Sequence, residues 1–229
     1  MKALKLALCA ATASFAMAGA AYADDPTVTF NIGATSDYVF RGVSQTDEGP
    51  AIQGGVDVSS GIVYGGLWAS NVDFGDSTDA EIDAYVGIKP TAGPVSLDLG
   101  AVYYGYVNAP GGSDYGYWEF KAAGSIPAGP FTLGAAAYYS PEFFGGVGDA
   151  LYYEANASVS PADKWTITAA VGKQTINDFS ALDYTTYNIG VSYAFTDKIS
   201  GDLRFHDSDL GCGSICDSRV VVSLKATLP

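Results

Sequence analysis

The sequence is poor in charge, poorest in basic side chains, and short of the residues on which most enzymes rely. Only 16% of its 229 residues are charged, with 11 Lys and Arg against 25 Asp and Glu, a formal charge of −14. A chain this acidic is not built to grip nucleic-acid phosphates, and one that is 48% hydrophobic is not disordered. There are 2 Met and a single His, His206. Long apolar runs are missing beyond the N-terminus. The one long uncharged stretch, 122–141, is interrupted by Pro127 and Gly129-Pro130, which excludes a spanning helix. What is abundant is Gly, with 28, and Tyr, with 16, a balance that suits many short strands and tight turns.

Lys2 and Lys5 precede an apolar run over 6–18, and Ala21-Tyr22-Ala23 has the small-x-small form of a cleavage site. Residues 1–23 are therefore expected to be a secretory signal peptide, and 24–229 the mature domain. Removing them takes away two lysines and no acid, so the formal charge of the mature chain becomes −16. Its two remaining cysteines, Cys212 and Cys216, form an even pair in an exported chain and are expected to be a disulfide, with two free thiols as the alternative. A metal site is a poorer reading, because His206 is the only imidazole near them.

Hydrophobicity alternates with a period of two throughout. Over 28–40, Val28, Phe30, Ile32, Ala34, Tyr38 and Phe40 fall on one face, and Thr29, Asn31, Gly33, Thr35 and Asp37 on the other. Similar patterns cover 95–107, 165–172, 187–195, 199–206 and 219–228, and weaker ones 51–59, 62–71, 81–89, 115–125, 131–140 and 151–160, twelve strands in all. The connections alternate in length. Short links at 59–61, 89–94, 127–130, 161–164 and 196–198 alternate with longer acidic ones that hold Asp47 and Glu48, then Asp73, Asp76 and Asp79, and later Asp207, Asp209 and Asp217. An even, up-and-down sheet with turns at one end and loops at the other is the plan of a closed transmembrane β-barrel.

A soluble sandwich would charge its outer face, whereas these polar faces are mostly Ser, Thr, Gly, Asn and Tyr. In lipid every backbone group needs a partner within the sheet, and closing the barrel supplies one. Aromatics near strand ends, Trp68, Phe74, Tyr103, Trp118, Tyr138, Tyr139, Trp165, Tyr193 and Phe195, suit the two interfacial girdles, although ordinary core positions would also accommodate them. The charges expected to face inward, as pore-lining candidates, are Asp57, Glu81, Asp83, Asp98, Glu119, Lys121, Glu154, Asp202, Arg204, Arg219 and Lys225, seven acids and four bases. Mixed charge across a narrow lumen admits small polar solutes and an acidic excess favours cations, but Lys121 and Arg204 can equally pair with neighbouring strands and fill the interior. Glu81 and Asp83 share a face yet lack a cleft, and His206 beside Asp207 and Ser208 is poor relay geometry, so no catalytic residue is assigned. No metal site, phosphate loop or cofactor is expected; the spacing of Asp73, Asp76 and Asp79 is not that of a calcium loop.

The run over 36–47, Ser-Asp-Tyr-Val-Phe-Arg-Gly-Val-Ser-Gln-Thr-Asp, followed by Gly49-Pro50-Ala51-Ile52-Gln53-Gly54-Gly55 and by Trp68-Ala69-Ser70-Asn71-Val72-Asp73-Phe74, resembles the proteobacterial family of TorF-type porins, also known as Gcw_chp. The resemblance implies an outer-membrane barrel more firmly than it implies a solute. Asp37 and Arg41 belong to the shared run; Arg41 is expected either to contact a solute or to anchor the first loop through Asp47 or Glu48. The sequence thus reads as an all-β, twelve-stranded outer-membrane barrel that is not an enzyme. Its expected function is passive diffusion of small hydrophilic solutes or ions with a mild cation preference. The alternative is a closed barrel that binds surfaces or partners through its acidic loops. Expected partners are outer-membrane lipid and lipopolysaccharide, the barrel-assembly machinery and the solutes themselves, with no nucleic acid.

Overall fold

A computed structural model describes residues 25–229, so the signal-peptide expectation for 1–23 lies outside the described residues. The strands are β1 (Thr27–Thr35), β2 (Val39–Phe40), β3 (Val43–Ser44), β4 (Ala51–Ser60), β5 (Val63–Asn71), β6 (Ala80–Ile88), β7 (Thr91–Ala92), β8 (Val95–Val107), β9 (Tyr117–Ala128), β10 (Phe131–Ser140), β11 (Ala150–Ala162), β12 (Trp165–Ile176), β13 (Tyr184–Ala194), β14 (Ile199–Ser208) and β15 (Arg219–Leu228). Twelve of them form a ring in which each long strand pairs antiparallel with the next in sequence. The ring closes where β1 pairs with β15, from Phe30 opposite Leu228 to Thr35 opposite Ser223. No long strand is left as an edge, which in hydrocarbon would strand a row of backbone donors and acceptors. The short β7 folds back on β8 within a turn, and β2 and β3 form a separate hairpin.

Alternation decides which side of each strand meets lipid. Ile32, Ile52, Leu67, Val86, Leu133, Ile189, Leu203, Val222 and Leu224 all point outward with much of their surface exposed, Ile52 at 62%. Aliphatic exposure on that scale around a whole molecule is untenable in water and is what a bilayer requires. Outward aromatics flank the belt at both ends: Trp118, Phe120, Tyr139, Tyr153 and Tyr187 toward the long loops, and Phe131, Trp165 and Phe195 toward the short turns. At the turn end Trp165 packs on Tyr193, with ring centroids 4.7 Å apart. By the rule for such barrels, the long loops are extracellular and both chain ends periplasmic.

Two expectations need correction. The first strand stops at Thr35, and Tyr38 and Phe40 turn into the barrel, 4% and 1% exposed, so they do not continue its lipid face. Of the expected girdle, Trp68 and Tyr138 lie on the inner face and Phe74 lies in a loop that packs inward: Trp68 meets Tyr38 edge-on at 5.4 Å, Tyr138 faces Tyr152, and Phe74 packs on Tyr106, Tyr115 and Phe144. Nearness to a strand end does not say which face a ring takes. Only register against the neighbouring strand does.

Candidate functional site

The feature that organises the interior is the first loop, residues 36–50. From Asp37 to Thr46 every residue of it is buried, although it connects two strands at the barrel rim. It folds down into the lumen as the β2–β3 hairpin, with Arg41 and Gly42 at its tip. Both tip residues have positive φ, +44° and +81°. This fits the tight hairpin turn, and a Cβ on Gly42 would come within 2.8 Å of Ser208 Cβ on β14. The base is tied internally: Ser44 and Thr46 hydroxyls donate to Asp37 Oδ1 at 2.7 and 3.1 Å, and Thr46 also reaches the Gly49 carbonyl.

The tip is held by the wall. Arg41 donates from both terminal nitrogens to the two Glu119 oxygens at 2.8 Å, and from Nη1 to Gln174 Oε1 at 2.9 Å. Rings of Tyr152, Phe40 and Tyr138 lie 4.1, 4.4 and 5.1 Å from its guanidinium carbon. The expected Arg41 pairing with Asp47 or Glu48 is therefore corrected: the hairpin turn aims the guanidinium inward, away from both. Asp37 takes Arg219 of β15 at 2.7 Å, which also approaches Glu48 at 3.7 Å.

Around the hairpin, the loop-end half of the barrel is packed. Tyr38, Phe40 and Val43 of the first loop join Tyr104, Tyr117, Ile176 and Tyr184 of the wall, Phe143 and Phe144 of the fourth loop, and Cys216 of the sixth in one buried cluster. Phe144 stacks on Tyr115 at 4.3 Å, and Tyr117 meets Phe143 edge-on at 5.0 Å. Cys212 and Cys216 form the expected disulfide and fold the sixth loop into a short turn against this cluster.

All eleven sequence-expected lumen charges point to the inner face. Glu81, Asp83, Asp98 and Glu119 are buried; Lys225 is exposed at the turn end. The structure draws several of them into a ladder. Lys121 reaches Asp98 on the adjacent strand at 2.7 Å, and Tyr64 donates to the same carboxylate at 2.6 Å. Arg204 pairs with Asp202 on its own strand, and spans to Asn188 and Thr168 on the next two. That long side chain crosses Gly190, where a Cβ would sit 2.6 Å from its guanidinium carbon. Tyr85 and Asn31 serve Asp57, Tyr38 and Tyr106 serve Glu81, and Tyr152 serves Glu154. Asp83 is the exception. Its Oδ1 is buried with no hydrogen-bond partner among the described residues, and Glu81 and Glu119 are the carboxylates that act on it.

Tyrosine is expected among the polar faces, but which tyrosines serve which carboxylates, and the part played by Gln174, escaped sequence reading. A Tyr in a barrel sequence signals an interface before it signals a lumen, and Gln174 is one inward amide in a strand with no other cue. His206 lies on the inner face of β14, opposite Asn188 and Arg219. Asp73, Asp76 and Asp79 shape the second loop. Asp73 and Asp76 accept from the backbone N–H groups of Gly75 and Thr78, and Asp79 accepts from Asn108. Slight burial pushes the Asp76 carboxyl up, but hydrogen bonds from Thr78 and Tyr115 outweigh it and hold it below the usual carboxylate range. Among the described residues no three His, Cys, Asp or Glu side chains are grouped to hold a metal ion. A polar cavity of about 420 Å³ opens between the first and second loops, lined by Thr46, Asn71, Asp73, Asp76 and Asp79.

The architecture is that of solved outer-membrane barrels. The chain is similar to the KdgM porin, solved in complex with disordered oligogalacturonate, at a TM-score of 0.60 and 7% identity over 87% of this chain and 97% of that one. It is likewise similar to an outer membrane channel from Pseudomonas putida F1, at 0.55 and 8% over 88% and 94%. At these identities the likeness is one of fold, a fold known here from porins and channels. No curated protein sequence matches the chain. A family model matches the chain over residues 19–227, nearly the whole of its length: the chain belongs to the Gcw_chp family of bacterial proteins of unknown function.

Proposed function

We propose that the protein is a porin-like channel of the outer membrane, passing small hydrophilic solutes or ions, with its first loop as the constriction. The observation that carries this reading is the inner face: a closed barrel with an apolar outside keeps a charged, hydroxyl-rich wall inside, from Asp57 and Asp98 through Asp202 and Arg204 to the exposed Lys225 at the periplasmic mouth. A barrel that only filled itself would have little use for ions at that mouth.

The solute class follows from charge. Acids outnumber bases seven to four on the strand wall, so cations and neutral polar solutes are favoured over anions. The polyanion held by the KdgM porin carries the wrong sign for such a wall. The packed extracellular half gives the loops a second role in this reading, since passage requires the hairpin to yield.

The test is conductance of the refolded protein in a planar bilayer under a salt gradient. Discrete steps with a cation-selective reversal potential support the channel. Silence from a barrel shown to be folded overturns it, and leaves the loops as the functional surface.

A further inference from the structure

Arg41 stands where its own backbone is least at ease. At φ +44° it takes the left-handed conformation that Gly or Asn prefers in such a turn and that is unfavourable for a side chain with a Cβ. The wall offsets this by accepting two 2.8 Å bonds from Arg41 at Glu119 and a 2.9 Å bond at Gln174, and with ring faces of Tyr138 and Tyr152. A carboxylate meeting the planar fork edge-on, with aromatic rings near its flat sides, is how proteins recognise a guanidinium. A compact ammonium makes poorer use of the same groups.

The wall part of this cage does not belong to the loop. Tyr138, Tyr152 and Gln174 lie in direct register across β10, β11 and β12. Glu119 stands on β9, where Tyr104 of β8 donates to it at 3.2 Å. Five consecutive strands, β8 to β12, thus carry these recognition groups, and none of them belongs to the hairpin. Beside them Asp83 keeps a buried carboxylate oxygen that Arg41 leaves without a partner. The wall has more acceptor capacity than its occupant uses.

Deepening the channel reading, on which its transport consequence rests, we infer that this patch is a binding site for small guanidinium-bearing solutes, at which Arg41 acts as the chain's own competing ligand. A solute that takes the patch releases the tip of the first loop. The competitor cuts the apparent affinity to its intrinsic value multiplied by the fraction of time the site stands free of Arg41.

The site is tested by binding, which needs no conductance. Methylguanidinium is titrated by calorimetry into refolded protein in detergent. Arg41→Ala is expected to bind it about tenfold or more tightly than the parent, whose cage is filled. Methylammonium should bind that variant about tenfold more weakly than methylguanidinium does, and adding Glu119→Gln should abolish binding. If Arg41→Ala loses the heat-dependent electrophoretic shift of a folded barrel, Arg41→Gln replaces it. In the parent, methylguanidinium but not equal sodium should raise amide exchange over 37–46. A folded variant with an empty cage that ignores methylguanidinium, or takes methylammonium equally well, overturns the proposal, as does unchanged exchange in the parent. Binding without bilayer current would sink the channel reading and leave the site standing.

Discussion

At Asp83 a carboxylate oxygen is enclosed at 2% residue exposure, between Trp68 and Tyr104 in register and with Glu81 two residues along the same face. Leaving a buried polar oxygen without a hydrogen bond costs about 1–3 kcal/mol, so such a residue weakens the barrel in which it sits. Asp83→Asn is therefore expected to raise resistance to urea unfolding in detergent by about 1–3 kcal/mol; an unchanged or lowered midpoint would contradict it. Glu119 presents the opposite case. Glu119→Ala leaves the buried Arg41 guanidinium without its bidentate partner and should cost about 3–5 kcal/mol. In bilayers the same variant should show larger or more frequent openings than the parent, because the tip of the first loop loses its anchor. A variant that conducts like the parent would mean that the anchor does not set the constriction.

The first loop is held by its neighbours as much as by its own bonds. The sixth loop presses the disulfide-closed turn on it, and Arg219 reaches from β15 to Asp37. Opening the Cys212–Cys216 bridge removes a short closed loop, worth about 2 kcal/mol by chain entropy. Reduction is expected to raise amide exchange over both 209–218 and 37–46 while the strands stay protected; exchange confined to 209–218 would show that the clamp is not transmitted. The second and third loops are tied through Asp76, which accepts from Tyr115 at 2.9 Å. Because this carboxyl is held below its usual range, the tie stabilises the folded loops above the ordinary carboxylate pKa and is lost as pH falls through the lowered one. Exchange over 72–79 should therefore rise only at distinctly acidic pH, and Asp76→Asn should remove that dependence.

For the whole molecule, lipid outside and a wet wall inside make the two faces of one strand respond differently. On β14, Leu203 faces lipid and Asp202 the interior, one residue apart. Leu203→Arg is expected to weaken the inserted barrel by about 2–4 kcal/mol if it lies near mid-membrane, whereas Asp202→Asn should leave folding in lipid vesicles intact. Equal folding yields of the two variants would be incompatible with a lipid-facing belt. Strand number, strand order and the alternation of turns with loops could be read from the chain itself, because a period of two and the spacing of Pro and Gly are local properties, and closure follows once lipid forbids a free edge. The inward set of charges was legible for the same reason. Which charges meet was not. Arg41 finds Glu119 at 78 residues and Gln174 at 133 residues of separation, and the loop that looked like a rim connection becomes the core of the lumen. A polar loop with Tyr38, Phe40 and Val43 in it has no local reason to fold inward; it does so because the closed ring offers an interior where those rings find partners and where one guanidinium fits one carboxylate. Sequence alone determined the barrel, through periodicity and solvent. Only the tertiary structure decided what fills it, since that depends on contacts between strands far apart in the chain.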